Sequence, residues 1–147
     1  MIKFKSQLSK EEKQEVTIIL QKFIDIYGDF YITKRNLRLF IPDNLRLLFS
    51  NLNHGDKIAY DENGIGIVCG FSDNAPRKYL KVLTDNMETA NRIIQAIILN
   101  LDCTLFAKVK SNNPLKNVLI NNGFIFYAGR GKEILLIRNG VKNDSNN

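Results

Sequence analysis

Apolar positions recur at helical spacing in long stretches of the chain and at every second residue in several short ones. Val16, Ile19, Leu20, Phe23, Ile24 and Tyr27 make one helical stripe. It begins behind Ser9-Lys10-Glu11-Glu12, where the Ser9 hydroxyl can accept the amide three residues on and Glu12 can reach back, and Gly28 closes it. A second helix is predicted to start near Pro42-Asp43 and to bury Leu45, Leu48, Phe49 and Leu52. Ala90, Ile93, Ile94, Ile97, Ile98 and Leu101 form the most apolar stripe, with a capping box predicted at Asp85 to Glu88.

The period-two stretches read as strands. Residues 2–5 alternate apolar and basic. Residues 57–60 and 65–71 flank Asp61-Glu62-Asn63-Gly64, a hairpin signal. Residues 77–84 and 103–110 are two further strands, and residues 30–33 are a strand or an extended link. Ser111-Asn112-Asn113-Pro114 announces a short helix with Leu115, Val118, Leu119 and Ile120 as its apolar stripe, stopped by Asn121-Asn122-Gly123. Residues 124–127 and 133–138 then pair across Ala128-Gly129-Arg130-Gly131. The predicted order is strand, two helices, three strands, helix, strand, helix, two strands. This is an α/β (α+β) domain over residues 1–140, followed by a polar tail at 141–147 expected to fray.

Composition narrows the function little. With 147 residues, 44% hydrophobic and 24% charged, the chain suits one domain with a sizeable core. No apolar run approaches the roughly 20 residues that span a bilayer, and residues 1–5 lack the apolar core of a signal peptide, so a cytoplasmic protein without membrane contact is expected. Cys69 and Cys103 lie far apart in strand-like runs and read as buried reduced thiols. His54, the single histidine, sits in a polar loop, so no metal site is expected. The net charge of +6 favours anionic partners and equally fits a merely soluble protein. Lys34, Arg35, Arg38 and Arg46 are the densest basic cluster: a nucleic-acid or protein-binding surface, with Phe30 and Tyr31 as stacking aromatics, or a solvated face.

The order of elements and one motif resemble the GNAT acyltransferase superfamily. The motif is Asn112, Leu115, Val118 and Leu119, then Gly123-Phe124 opening a strand. The resemblance implies a single GNAT-like domain, a central mixed sheet flanked by helices. It implies acetyl-CoA as cofactor and an amine of a small molecule or a protein as acceptor. It further implies a splay between the fourth and fifth strands that admits the pantetheine arm. Leu83 and Thr84 would offer backbone groups to that arm, and Asn112 would lie near its thiol end.

The resemblance also places the diphosphate at the start of the helix after the fourth strand, where free amides and glycines serve an anion. The family pattern of Arg or Gln, two residues, Gly, one residue, Gly or Ala falls on residues 85–90. Ala90 matches; Asp85 and Glu88 depart from it and oppose a phosphate's charge. Asn91 and Arg92 are the residues able to compensate. The family's Tyr acid falls at Leu119, which has no proton to give, so Tyr127 is the substitute acid, with Glu133 and Asp73 as candidate bases. Two readings stay open: a divergent acyl-CoA N-acyltransferase, or a non-catalytic GNAT-like domain binding a protein or nucleic acid. An acyl-CoA sensor lies between them.

Overall fold

A computed structural model describes residues 1–27, 45–71 and 76–140. The first helix, α1 (Lys10–Tyr27), starts as its capping box requires: the Ser9 N–H donates to Glu12 Oε1 at 2.9 Å, and the Glu12 N–H donates to Ser9 Oγ at 3.2 Å. The second, α2 (Leu45–Asn53), follows. Residues 28–44, including the undecided stretch at 30–33, lie outside the described residues, as does the tail.

Strands β1 (Lys3–Lys5), β2 (Lys57–Asp61), β3 (Gly64–Cys69), β4 (Lys78–Thr84), β5 (Leu105–Lys110), β6 (Ile125–Arg130) and β7 (Glu133–Arg138) form one sheet. Its order is β1-β2-β3-β4-β5-β7-β6. The β4–β5 pair is parallel and the others are antiparallel. A parallel pair needs a crossover, and α3 (Met87–Asn100) supplies it. The short α4 (Leu115–Asn121) leads from β5 to β6.

Strand alternation divides the core in two. Ile58, Tyr60, Ile65, Ile67 and Leu83 face α1, burying Val16, Ile19, Leu20 and Phe23, with Leu52 of α2 beside them. Ala59, Val68, Leu80, Val82, Leu105, Ala107, Val109 and Leu136 face α3 and α4, against Ile93, Ile94, Ile97, Leu115 and Leu119. Gly66 makes the second contact possible, because a Cβ there would stand 2.5 Å from Ile93 Cγ2 and 2.9 Å from Ile97 Cδ1.

Four local expectations need correction or refinement. In the β2–β3 hairpin Asp61 pairs with Gly64, so Glu62-Asn63 is the loop, held by the Asn63 N–H donating to Asp61 Oδ1 at 2.7 Å. The cap of α3 is Asn86, not Asp85. The β6–β7 turn is Gly131-Lys132, because a bulge at Tyr127 lets Gly129 and Arg130 continue the ladder to Ile134 and Glu133. Ile120 leaves the stripe of α4 and is exposed. Cys69 and Cys103 are not joined in a disulfide among the described residues and are partly rather than fully buried, and His54 is exposed.

Candidate functional site

The parallel strands β4 and β5 share two rungs, Lys78 with Leu105 and Tyr79 with Phe106. β4 then runs on to Thr84 and β5 to Lys110 without a common ladder. From Leu80 onward, the backbone edge of β4 that faces β5 borders an opening. The outer edge of β5 remains zipped to β7 from Leu105 to Lys110. The outer edge of β4 likewise remains zipped to β3 up to Thr84.

The side chains at the end of β4 are structural. Leu83 is buried under α1. Thr84 is fully buried; its Oγ1 donates to the Asn63 carbonyl at 2.7 Å and accepts the Asn86 N–H at 3.2 Å, tying β4 to the neighbouring hairpin. Gly64 permits this contact, since a Cβ there would come within 2.6 Å of Thr84 Cβ. Any role of Leu83 and Thr84 toward a ligand therefore falls to their backbone.

Two residues separate the end of β4 from the start of α3. Asn86 Oδ1 accepts the N–H groups of Glu88 at 2.9 Å and Thr89 at 3.1 Å. The Ala90 N–H already donates to the Asn86 carbonyl at 3.0 Å, and the Ala90 side chain is buried in the core. Asn91 does not turn to this end; its Oδ1 accepts from Asn122 Nδ2 at 2.8 Å and links α3 to the end of α4. Arg92 does turn back. It donates to Thr89 Oγ1 at 3.3 Å and stands 3.9 Å from the Glu88 carboxylate. The first turn of α3 thus has a positive dipole end, two amides spent on its own cap, and a carboxylate partly neutralised by Arg92.

At the start of α4, Asn112 is exposed, whereas Asn113 is buried and accepts the Leu115 N–H at 2.9 Å. Tyr127 stands closest to the closed end of the opening. Its ring meets Phe106 edge-on with centroids 5.3 Å apart, and the Arg77 guanidinium lies 4.7 Å from the Phe106 centroid and 5.4 Å from that of Tyr127. Glu133 is exposed at the far end of β5, opposite Lys110 in the ladder. Asp73, Lys34, Arg35 and Arg38 lie outside the described residues. Arg46 lies on α2, with its side chain outside them too.

The structure adds residues that the sequence reading passed over. Tyr79 and Lys81 alternate onto the face of β4 that carries Leu83. Phe106 and Lys108 share that face of β5, because Tyr79 stands opposite Phe106. Burial pushes the Lys81 ammonium below the usual lysine range. Cys69 and Asp56 act against that shift, and Lys108 adds to it. The signal was available as the matching patterns Tyr-Leu-Lys and Phe-Ala-Lys, but their register was not.

No protein-family model matches the sequence, and no curated protein does. Solved structures do match. A PaiA N-acetyltransferase from Thermoplasma acidophilum in complex with coenzyme A superposes with a TM-score of 0.65 at 12% identity, covering 95% of this chain and 99% of that one. A ribosomal-protein-alanine N-acetyltransferase from Brucella melitensis gives 0.61 at 13% identity over 94% and 98%. A putative acetyltransferase from Salmonella typhimurium with acetyl-CoA gives 0.57 at 12% identity over 94% and 93%. With the strand order, the single parallel pair among the described strands and its splay, these likenesses establish that the chain has the GNAT N-acetyltransferase fold.

Proposed function

We infer that the chain is an acetyl-CoA-dependent N-acyltransferase acting on an amine. The observation that carries this reading is the β4–β5 ladder ending at Tyr79 and Phe106. A pantetheine arm is an amide chain, and the unzipped backbone of β4 offers it the hydrogen bonds of a missing strand. The residues fit that arm. They fit the diphosphate less well, since Asn86 holds two of the amides an anion would take; Arg92 is the nearest cation to meet it.

The cofactor would supply a thioester. In the transfer the acceptor nitrogen would bond to the acetyl carbon and give up a proton, while the carbon–sulfur bond would break and the departing thiolate would take one. Tyr127, whose ring packs on Phe106 at the closed end of the opening, is the candidate to give that proton and to regain one through solvent. Leu119, at the family's acid position, is wholly buried and serves the core. Glu133 and Asp73 remain the candidate bases. Holding the amine and thioester together accelerates transfer even without a strong base. The neighbours that carry coenzyme A or acetyl-CoA support the cofactor assignment.

The capped start of α3 favours a second reading: a GNAT-like domain that keeps the slot, has lost the diphosphate site, and binds a protein or nucleic acid instead. Calorimetry and thermal melting with millimolar acetyl-CoA separate the two. Binding stabilises the fold by mass action, by about 2.7 kcal/mol at a hundredfold excess over Kd. The absence of both heat and stabilisation would eliminate the transferase.

A further inference from the structure

The two banks of the opening carry one pattern in register, Tyr79-Leu80-Lys81 on β4 and Phe106-Ala107-Lys108 on β5. Tyr79 and Phe106 form the last rung. Lys81 and Lys108 therefore occupy the first positions beyond it on the same face, one on each bank. That face carries α1 and α2, while α3 and α4 lie on the other. A cofactor held along α3 leaves the lysine face to the acceptor.

Among the described residues neither Lys81 nor Lys108 forms an ion pair. Lys108 is exposed and Lys81 is half-buried. Like charges held across a gap disfavour each other, and an anion between them relieves both. Burial is the main cause of the lowered proton affinity of Lys81; Cys69 and Asp56 oppose it, and Lys108 adds a smaller push in the same direction as burial. On the closed side of the lysines stand the rings of Tyr79, Phe106 and Tyr127, with centroids 5.9 Å and 5.3 Å apart in turn; Phe106 is buried and the Arg77 guanidinium covers it and Tyr127, so Tyr79 is the ring nearest the lysines left partly open.

We propose that the acceptor is an amino acid or a similar small amine, whose carboxylate bridges Lys81 and Lys108, whose carbon skeleton packs beside Tyr79, and whose nitrogen faces the slot. The proposal rests on the acetyl-transfer reading and names its substrate class. The two cations also favour the neutral form of an incoming amine, which is the nucleophile, and they repel polyamines.

The test needs no cofactor. The full chain is titrated with N-acetylglycine and, separately, with N-acetylglycinamide, and the backbone amide NMR shifts are followed. The acid should shift the Lys81, Phe106 and Lys108 amides, and the amide should not. Lys108→Gln should weaken the acid's binding about tenfold or more, the loss expected for a hydrogen bond to a charged group. Equal responses to acid and amide, or an unchanged Lys108→Gln, overturn the proposal. Turnover supports it if glycine is acetylated far faster than glycinamide or spermidine, and overturns it if spermidine is preferred. Acetyl-CoA calorimetry reports separately on the cofactor. Acid binding without cofactor binding keeps the carboxylate site and removes the transferase; cofactor binding with equal acid and amide responses does the reverse.

Discussion

Tyr79 and Phe106 face each other across the last rung shared by β4 and β5, their ring centroids 5.9 Å apart. The pair separates the zipped part of the β4–β5 seam from its open part. Phe106 is 7% exposed and also receives the edge contact from Tyr127 and the Arg77 guanidinium. Phe106→Ala removes the ring that all three neighbours touch. It should lower the unfolding free energy by about 3–5 kcal/mol, the usual range for a buried aromatic. Chemical denaturation measures this, and a loss below about 1 kcal/mol, typical of a surface site, would show that the closed end is not anchored there.

Tyr127 separates packing from chemistry. Its ring packs on Phe106 from a bulge, and its side of β6 is open to solvent. Tyr127→Phe keeps the ring and removes only the phenolic proton. Stability should stay within about 0.5 kcal/mol. If the phenol protonates the thiolate, kcat should fall about a hundredfold or more with KM little changed. A kcat within twofold of the parent, on the order of experimental scatter in such comparisons, would return Tyr127 to a packing role.

What could be read in advance depended on how local the cause was. The Ser9–Glu12 box is decided by four adjacent residues and appears as expected. The stripes of α1 and α3 are equally local: Val16, Ile19, Leu20 and Phe23 of the first and Ala90, Ile93, Ile94 and Ile97 of the second are buried as predicted, whereas Ile98 and Leu101 are only partly covered. The choice between Asp85 and Asn86 as cap was not legible. Both are good caps, and the Glu three residues after Asp85 favoured the wrong one. The bulge at Tyr127 was hidden because its cause is the register with β7. The lysines were hidden for the same reason. Lys81 and Lys108 become neighbours only after the α3 crossover sets β5 parallel to β4.

The cap of α3 makes an unusual trade between stability and ligand affinity. Asn86 Oδ1 occupies the Glu88 and Thr89 amides. Asn86→Gly should cost only a few tenths of a kcal/mol, because glycine is itself an acceptable cap. It frees two amides at a dipole end that favours phosphate. Coenzyme A should then bind more tightly, and Glu88→Gln should add about two- to fivefold, the effect of one charge at a helix terminus. Titration calorimetry of both variants measures this. Weaker binding in Asn86→Gly would mean that the diphosphate does not use this helix start.

The α1 cap gives the fold a pH dependence of known sign. The Ser9 N–H, and next the Lys5 ammonium 3.0 Å away, hold the Glu12 carboxyl at about 2 rather than 4.5. The native state keeps Glu12 ionised in that interval, whereas the unfolded chain takes up the proton near 4.5. Between those two values the unfolded state binds more protons, so stability falls as pH falls, and above 4.5 the contribution is complete. Glu12→Gln retains an oxygen that can accept the Ser9 N–H but has no proton to gain. The parent should therefore be the more stable protein at neutral pH, and its advantage should shrink steadily as denaturant melts are taken down through that window. Parent and variant curves that stay parallel there would show that the carboxylate is not the group the cap depends on.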